Sequence, residues 1–308
     1  MCEKNIFENN NIKHVINEKI EYIQFKKLLE YPEINHAYIL KPNNMNFRMR
    51  TNFRNIEIVK NNLRRVCDAL GFEFNTILRP DYNHTNNVNI IKKGTVNTEL
   101  SNNENINSKV LIDEMGNSFE IIFSEEKPSL KGEMFKDTDG IVTNQNEMTL
   151  MSTNADCNLI LIYDPVKKVF GNIHAGWRGT FGKIAKNAIR KMKEEFDCNP
   201  KDIICCFCPS IRKCHFEVDT DVANECIKIF ENTGRLDEII QEGLIKNGKQ
   251  KYYIDTLLIN KILLIEEGIL ENNIFDSEIC SVCSCDKVHS RRAEGDDFEL
   301  GCALIQLK

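Results

Sequence analysis

Between Ala155 and Thr180 the chain reads ADCNLILIYDPVKKVFGNIHAGWRGT, and it gathers there a thiol, an imidazole, a guanidinium and its only tryptophan. Cys157 and His174 are ligand types for a borderline-soft metal ion such as zinc. Asp156, beside Cys157, is placed to orient a ligand or to act on a proton. Arg178 offers a planar set of donors suited to a phosphate, and Trp177 could line or stack in a substrate pocket. Metal-assisted catalysis on a small anionic or phosphate-requiring substrate is the chemistry such a set permits.

Two apolar runs, 159–163 and 169–173, must position these groups. They read as short buried strands joined by a turn at Asp164-Pro165. If they pair as neighbours, Cys157 and His174 reach the same end of one sheet. Beyond the Gly176 turn, Ile184, Ala188, Met192 and Phe196 recur every four residues and predict a helix with one apolar face. Its N-terminus, near Gly179 and Thr180, would present backbone N–H groups to an anion.

The remaining elements are expected as follows. Val59, Leu63, Val66 and Leu70 predict a helix over 56–70 stopped by Gly71. A short helix is expected at 22–29, a helix begun by Asp219 or Thr220, and another over 257–267 ended by Gly268. Strands are expected at 37–40, 77–78, 88–91, 109–114, 118–123, 203–207, 252–254 and 302–307. The Asn-, Ser- and Glu-rich stretch 92–108 reads as an exposed loop, and Met115-Gly116-Asn117 as a hairpin turn. Strands and helices mix without strict βαβ alternation. That gives an α/β (α+β) class with mixed sheets flanked by helices, in a single domain over 1–308.

Composition narrows the function. The chain has 308 residues, a formal charge of −6 and 42% hydrophobic residues, with a pI near 5.7. The acidic balance argues against a nucleic-acid binder or an anionic-membrane binder. The basic residues of 183–193 read as the solvated face of the central helix. No secretory signal or long apolar span is visible, so a cytoplasmic protein is expected. In that setting the 13 cysteines read as thiols rather than a disulfide scaffold. Cys280, Cys283 and Cys285, with His289 nearby, have metal-ligand spacing, and Cys205, Cys206 and Cys208 are candidate partners. The simpler reading is buried or incidental thiols, with His215 beside Cys214 facing the surface.

Asp139-Gly140-Ile141-Val142-Thr143, Ala155-Asp156-Cys157 and His174-Ala175-Gly176-Trp177-Arg178-Gly179-Thr180 resemble the YfiH family, also called the laccase-domain or polyphenol oxidase family. Cys208-Pro209-Ser210-Ile211 with Phe216-Glu217-Val218 resembles that family's GPxI…YEV segment, and Ser290-Arg291-Arg292 its FSYRR segment. The resemblance runs over about 57–308. It implies a layered α/β fold with mixed sheets, and a zinc held by His84, Cys157 and His174. It also implies phosphorolysis of adenosine, inosine or methylthioadenosine, deamination of adenosine, or both. Purine nucleoside and phosphate would be the small-molecule partners, with Trp177, Gly179, Thr180 and Arg291 on the substrate side.

The chain departs from the family pattern at several positions. Tyr82 stands where a Gln is usual, Cys208 replaces Gly and Phe216 replaces Tyr. The N-terminal Arg-Gly-Gly-Val-Ser segment is absent, and Glu299-Leu300-Gly301 replaces TGR.

Three N/S ligands would leave one tetrahedral position open, the pattern of a catalytic zinc able to make hydroxide available near neutral pH. Copper-dependent phenol oxidation is disfavoured because oxygen reduction at a copper cluster needs many histidines and the chain has six. A cysteine hydrolase with Cys157 as nucleophile and His174 as base, and a non-catalytic metal-binding module, stay open. The oligomeric state is not read from the sequence.

Overall fold

The structure, a computed structural model, describes residues 7–48, 53–80, 82–93, 108–112, 118–122, 130–131, 134–135, 137–146 and 148–308. The 92–108 loop, beyond its first two and last residues, and the 115–117 turn lie outside them.

Two mixed sheets carry the architecture. A six-stranded sheet runs in the order Ile12–Ile16, Glu21–Phe25, Ile34–Ile39, Gly301–Leu307, Thr149–Asn154, Ile77–Leu78. An eight-stranded sheet runs Ile274–Asp276, Ile204–Phe207, Asn158–Asp164, Val169–Ala175, Gly140–Thr143, Val88–Lys93, Ser118–Ile122, Ser108–Ile112. Most neighbours are antiparallel, but Gly140–Thr143 runs parallel to Val88–Lys93, and Ile204–Phe207 parallel to Ile274–Asp276.

Side-chain alternation along the central strand decides how the layers stack. Leu159, Leu161 and Tyr163 pack toward the six-stranded sheet, in one core with Ile23, Tyr38, Ala303 and Ile305. Ile160 and Ile162, on the opposite face, pack with Ile184, Ala188, Ile189 and Met192 of helix Ile184–Phe196. The outer face of the six-stranded sheet is covered by helix Phe53–Leu70 through Val59, Leu63 and Val66. The result is four layers, helix on sheet on sheet on helix, with the central strands buried on both faces and therefore apolar throughout.

Helix Thr256–Glu266 is apolar nearly all round because two clusters claim it. Leu257 and Leu264 join the core under Ile184–Phe196, whereas Ile259, Ile262 and Leu263 pack with Phe181, Cys226 and Phe230. A three-stranded sheet, Glu217–Asp219, Lys249–Ile254, Ile240–Lys246, flanks that second cluster. No described helix is long and apolar enough to cross a membrane.

The mixed-sheet α/β class and most expected elements are present. Helix Phe53–Leu70 ends at Gly71 with φ +72°, the left-handed stop its sequence predicts. One expectation is corrected. Residues 21–25 form a strand rather than the first turns of a helix, because Ile23 and Phe25 alternate into the core against Ile12–Ile16; only Lys26–Leu29 is helical. Strands Ile12–Ile16, Glu217–Asp219 and Ile240–Lys246 were not expected. The last is an exposed ribbon without an apolar face.

Candidate metal centre

Antiparallel pairing sets Leu159 opposite His174 and Asn158 opposite Ala175, so Cys157, one residue earlier, ends beside the imidazole. The Cys157 loop is tied down by Asn154, whose Nδ2 donates to the carbonyls of Cys157 (2.6 Å) and Pro209 (2.9 Å). His84 arrives from the loop preceding Val88–Lys93. Ligand atoms of His84, Cys157 and His174 all lie within 4.8 Å of one another. The imidazole of His174 is buried, Cys157 half-buried and His84 exposed, so the cluster opens on one side.

One carboxylate organises both histidines. Asp139, fully buried, accepts from His174 Nδ1 at 2.8 Å through Oδ2, which turns Nε2 toward the cluster. Its Oδ1 accepts from the Thr85 amide (2.7 Å), the Thr85 hydroxyl (2.9 Å) and the Asn83 amide (3.3 Å). Those two amides flank His84, whose backbone sits in the left-handed region at φ +55°. The strained turn that aims His84 is therefore held by the group that aims His174.

Gly176 explains why the convergence is possible. A Cβ there would lie 2.7 Å from His84 Cδ2, 3.4 Å from Cys157 Sγ and 3.6 Å from His174 Cε1. All three donors thus face the space over a residue with no side chain. Electrostatics agree: burial alone would push the Cys157 thiol up, but the His174 and His84 imidazoles outweigh it and bring it down to about 6. Burial lowers His174, and Cys157 with Asp139 more than reverses this, raising it to about 9. Cys157 is thus held in the thiolate form that binds metal, and a cation would replace the proton shared by the pair. The donor set, its convergence and the carboxylate behind it fit a metal ion.

The other expected residues fall as follows. Asp156 does not touch a ligand side chain. With φ +92° it turns away, accepting from the hydroxyls of Ser281 and Ser290 (both 2.6 Å) and from the Arg292 amide (2.8 Å). The carboxylate expected there is supplied by Asp139. Asp156→Asn should keep the metal at His84, Cys157 and His174 but lower stability by about 1–3 kcal/mol, because an amide cannot accept all three donors. Metal analysis and denaturant unfolding check this.

Gly179 and Thr180 do not present free N–H groups. They lie buried inside a separate short helix, Trp177–Phe181, and the Thr180 amide donates to the Gly176 carbonyl. Lys183 at φ +65° divides that helix from Ile184–Phe196, and a Cβ on Gly179 would sit 2.6 Å from the Thr85 carbonyl. Trp177 packs edge-on against Phe181, and the Arg178 guanidinium lies 4.1 Å over the indole. Arg291 is exposed and sits 5.5 Å over the Phe298 ring.

Two residues at the site escaped sequence reasoning. Tyr82, noted only as a departure, stacks on His174 at 4.5 Å between ring centroids, and its hydroxyl accepts from the Thr153 amide at 3.1 Å. Arg79 lies 5.9 Å over the Tyr82 ring, with Nε and Nη1 buried and lacking a hydrogen-bond partner among the described residues. Nothing local in the sequence signals either role.

A family model described as multi-copper polyphenol oxidoreductase laccase matches residues 41–308. A human protein named purine nucleoside phosphorylase LACC1 is 27% identical over 262 residues, which is 82% of this chain and 48% of that protein. The Bacillus subtilis protein named purine nucleoside phosphorylase YlmD is 30% identical over 159 residues, 52% of this chain and 55% of its own. A protein of an unknown prokaryotic organism named adenosine deaminase RL5 is 30% identical over 186 residues, 60% of this chain and 65% of its own. The match thus spans roughly half of each of the first two relatives. The crystal structure of a Bacillus licheniformis hypothetical protein, YfiH, superposes with a TM-score of 0.74 at 20% identity, covering 97% of this chain and 100% of that one. With the family model matching from Lys41 to the last residue and the fold shared throughout, the chain belongs to the laccase-domain (YfiH) family.

Proposed function

We propose that the chain is a zinc-dependent enzyme of purine nucleosides, cleaving adenosine, inosine or methylthioadenosine with phosphate, and that its reaction site is the His84, Cys157 and His174 centre. The observation that carries the reading is the convergence of these three donors over Gly176. Relatives named purine nucleoside phosphorylase and adenosine deaminase support the substrate class.

Zinc fits better than an oxygen-reducing copper cluster. His14, His36 and His289 are engaged elsewhere, through Nε2, with Glu21, the Phe25 amide and the Met45 carbonyl. Zinc, held by two imidazoles and a thiolate, supplies Lewis acidity at an open fourth position. The protein's own groups do the rest. Asp139 fixes the His174 tautomer and the His84 turn, and Tyr82 covers one face of His174 and keeps water from it. In phosphorolysis a phosphate oxygen forms a bond to ribose C1′ while the bond from C1′ to the purine nitrogen breaks, and the base leaves with a proton. Phosphate must therefore be held next to the sugar.

Arg79 is the cation suited to that task, because a buried guanidinium without a partner is costly until an anion meets it. Arg79→Met should raise the phosphate KM roughly 10- to 100-fold, the worth of a charged hydrogen bond, and leave zinc content unchanged. Steady-state kinetics at varied phosphate measure it.

The reading is tested by incubating the protein with each nucleoside, with and without phosphate, and separating the products. Free base formed only with phosphate supports phosphorolysis. Inosine formed from adenosine without phosphate places the activity with deamination. No turnover of any nucleoside overturns the proposal.

A further inference from the structure

We propose that Cys214, His215, Cys280 and Cys283 form a second metal centre, a structural zinc site distinct from the His84, Cys157 and His174 centre. Their ligand atoms also lie within 4.8 Å of one another. Cys214 Sγ is 3.7 Å from Cys280 Sγ and 4.0 Å from Cys283 Sγ. His215 Nδ1 lies 3.2, 3.6 and 3.5 Å from the sulfurs of Cys214, Cys280 and Cys283.

A tetrahedral zinc with its usual bond lengths has sulfur–sulfur edges of about 3.8 Å and sulfur–nitrogen edges of about 3.6 Å. The spacings found are close to those edges. They are far from a disulfide, whose sulfurs sit about 2.05 Å apart.

The chemistry of the set agrees. Three thiols and one imidazole fill four positions and leave none open, which is the structural rather than the catalytic pattern. Cys280-Ser281-Val282-Cys283 is a Cys-x-x-Cys turn, and the Val282, Cys283 and Arg212 amides hydrogen-bond the Cys280 sulfur, as suits a bound thiolate. Cys280 is buried, whereas Cys214 and Cys283 are exposed, so an ion can enter from solvent. Of the cluster expected from sequence, Cys280 and Cys283 take part. His289 does not, being bonded to the Met45 carbonyl, and Cys205, Cys206 and Cys208 lie in or next to the buried strand Ile204–Phe207.

The site would pin two loops that meet nowhere near each other in sequence. One leads into Glu217–Asp219; the other follows the bridge of Ser210 to Cys280. The second loop also carries Ser281, whose hydroxyl donates to Asp156 beside the ligand Cys157. A structural ion here would stiffen the support of the first centre without touching it. The inference stands independently of the reaction proposed above.

Zinc alone is the probe. Under reducing conditions the full chain should hold two zinc ions, one per cluster, and Cys157→Ser and Cys283→Ser should each hold one. Cys283→His, which restores a fourth ligand, should hold two. Zinc-edge X-ray absorption on the Cys157→Ser protein should show three sulfurs and one nitrogen around the remaining ion. The proposal is overturned if the full chain holds one ion that Cys283→Ser retains, if the remaining ion has no sulfur shell, or if Cys214 and Cys280 are recovered as a disulfide.

Discussion

Cys157→Ser protein is expected to lose the ion of the His84 centre, and with it about a thousandfold or more of nucleoside turnover. The side chain is nearly isosteric, but a serine hydroxyl stays neutral where the thiol is held near 6 by its two imidazoles. Two neutral imidazoles alone bind zinc far more weakly than the pair with a thiolate. The fold should survive. Asn154 still holds the loop through the backbone carbonyl of residue 157, and Asp156 keeps its bonds to Ser281, Ser290 and Arg292. Metal per chain, kcat/KM and thermal melting taken together check this. Metal loss with an unchanged melting profile is the expected pattern. Full metal content would remove Cys157 from the ligand set.

Asp139→Ala should weaken zinc binding at the same centre about 10- to 100-fold and cost about 3–5 kcal/mol of stability. Both effects have one origin. The carboxylate is fully buried, and its removal leaves His174 Nδ1, the Thr85 amide and hydroxyl and the Asn83 amide without their acceptor. His84 then loses the anchors on either side of its left-handed turn. Asp139→Asn separates orientation from stability. It retains an oxygen for Thr85, but its amide nitrogen, a donor, faces His174 Nδ1 and favours the wrong tautomer. The Asn variant should therefore lose metal affinity with a smaller loss of stability. Chelator competition gives the first quantity and denaturant unfolding the second. Equal zinc affinity in all three proteins would show that Asp139 does not position the ligands.

These residues show what a sequence can and cannot convey about such a site. The hairpin was legible because 159–163 and 169–173 are apolar throughout, as strands buried on both faces must be. Pairing them brings Cys157 and His174 together with no further information. His84 has no local signal; only the family resemblance pointed to it. Asp139 was visible as part of a motif but not as the partner of His174, 35 positions on. That contact exists because Gly140–Thr143 pairs with Val169–Ala175 on the far side of the hairpin. Asp156 drew attention by adjacency, and its positive φ, which decides where the carboxylate points, leaves no mark in the chain. The break at Lys183 likewise converted an expected single helix into two and buried Gly179 and Thr180. The Cys280 to Cys283 spacing was readable; its completion by Cys214 and His215, more than 60 positions earlier, required the fold.

The most direct test of the central claim is a metal add-back assay. The protein is stripped with chelator, shown to stay folded, and assayed for adenine release from adenosine in phosphate before and after one addition of zinc, beside the Cys157→Ser variant. The account predicts no release by the stripped protein, recovery on adding zinc, and none by the variant under either condition. Equal release by the stripped protein, or by the variant, would contradict it and place the reaction elsewhere in the molecule.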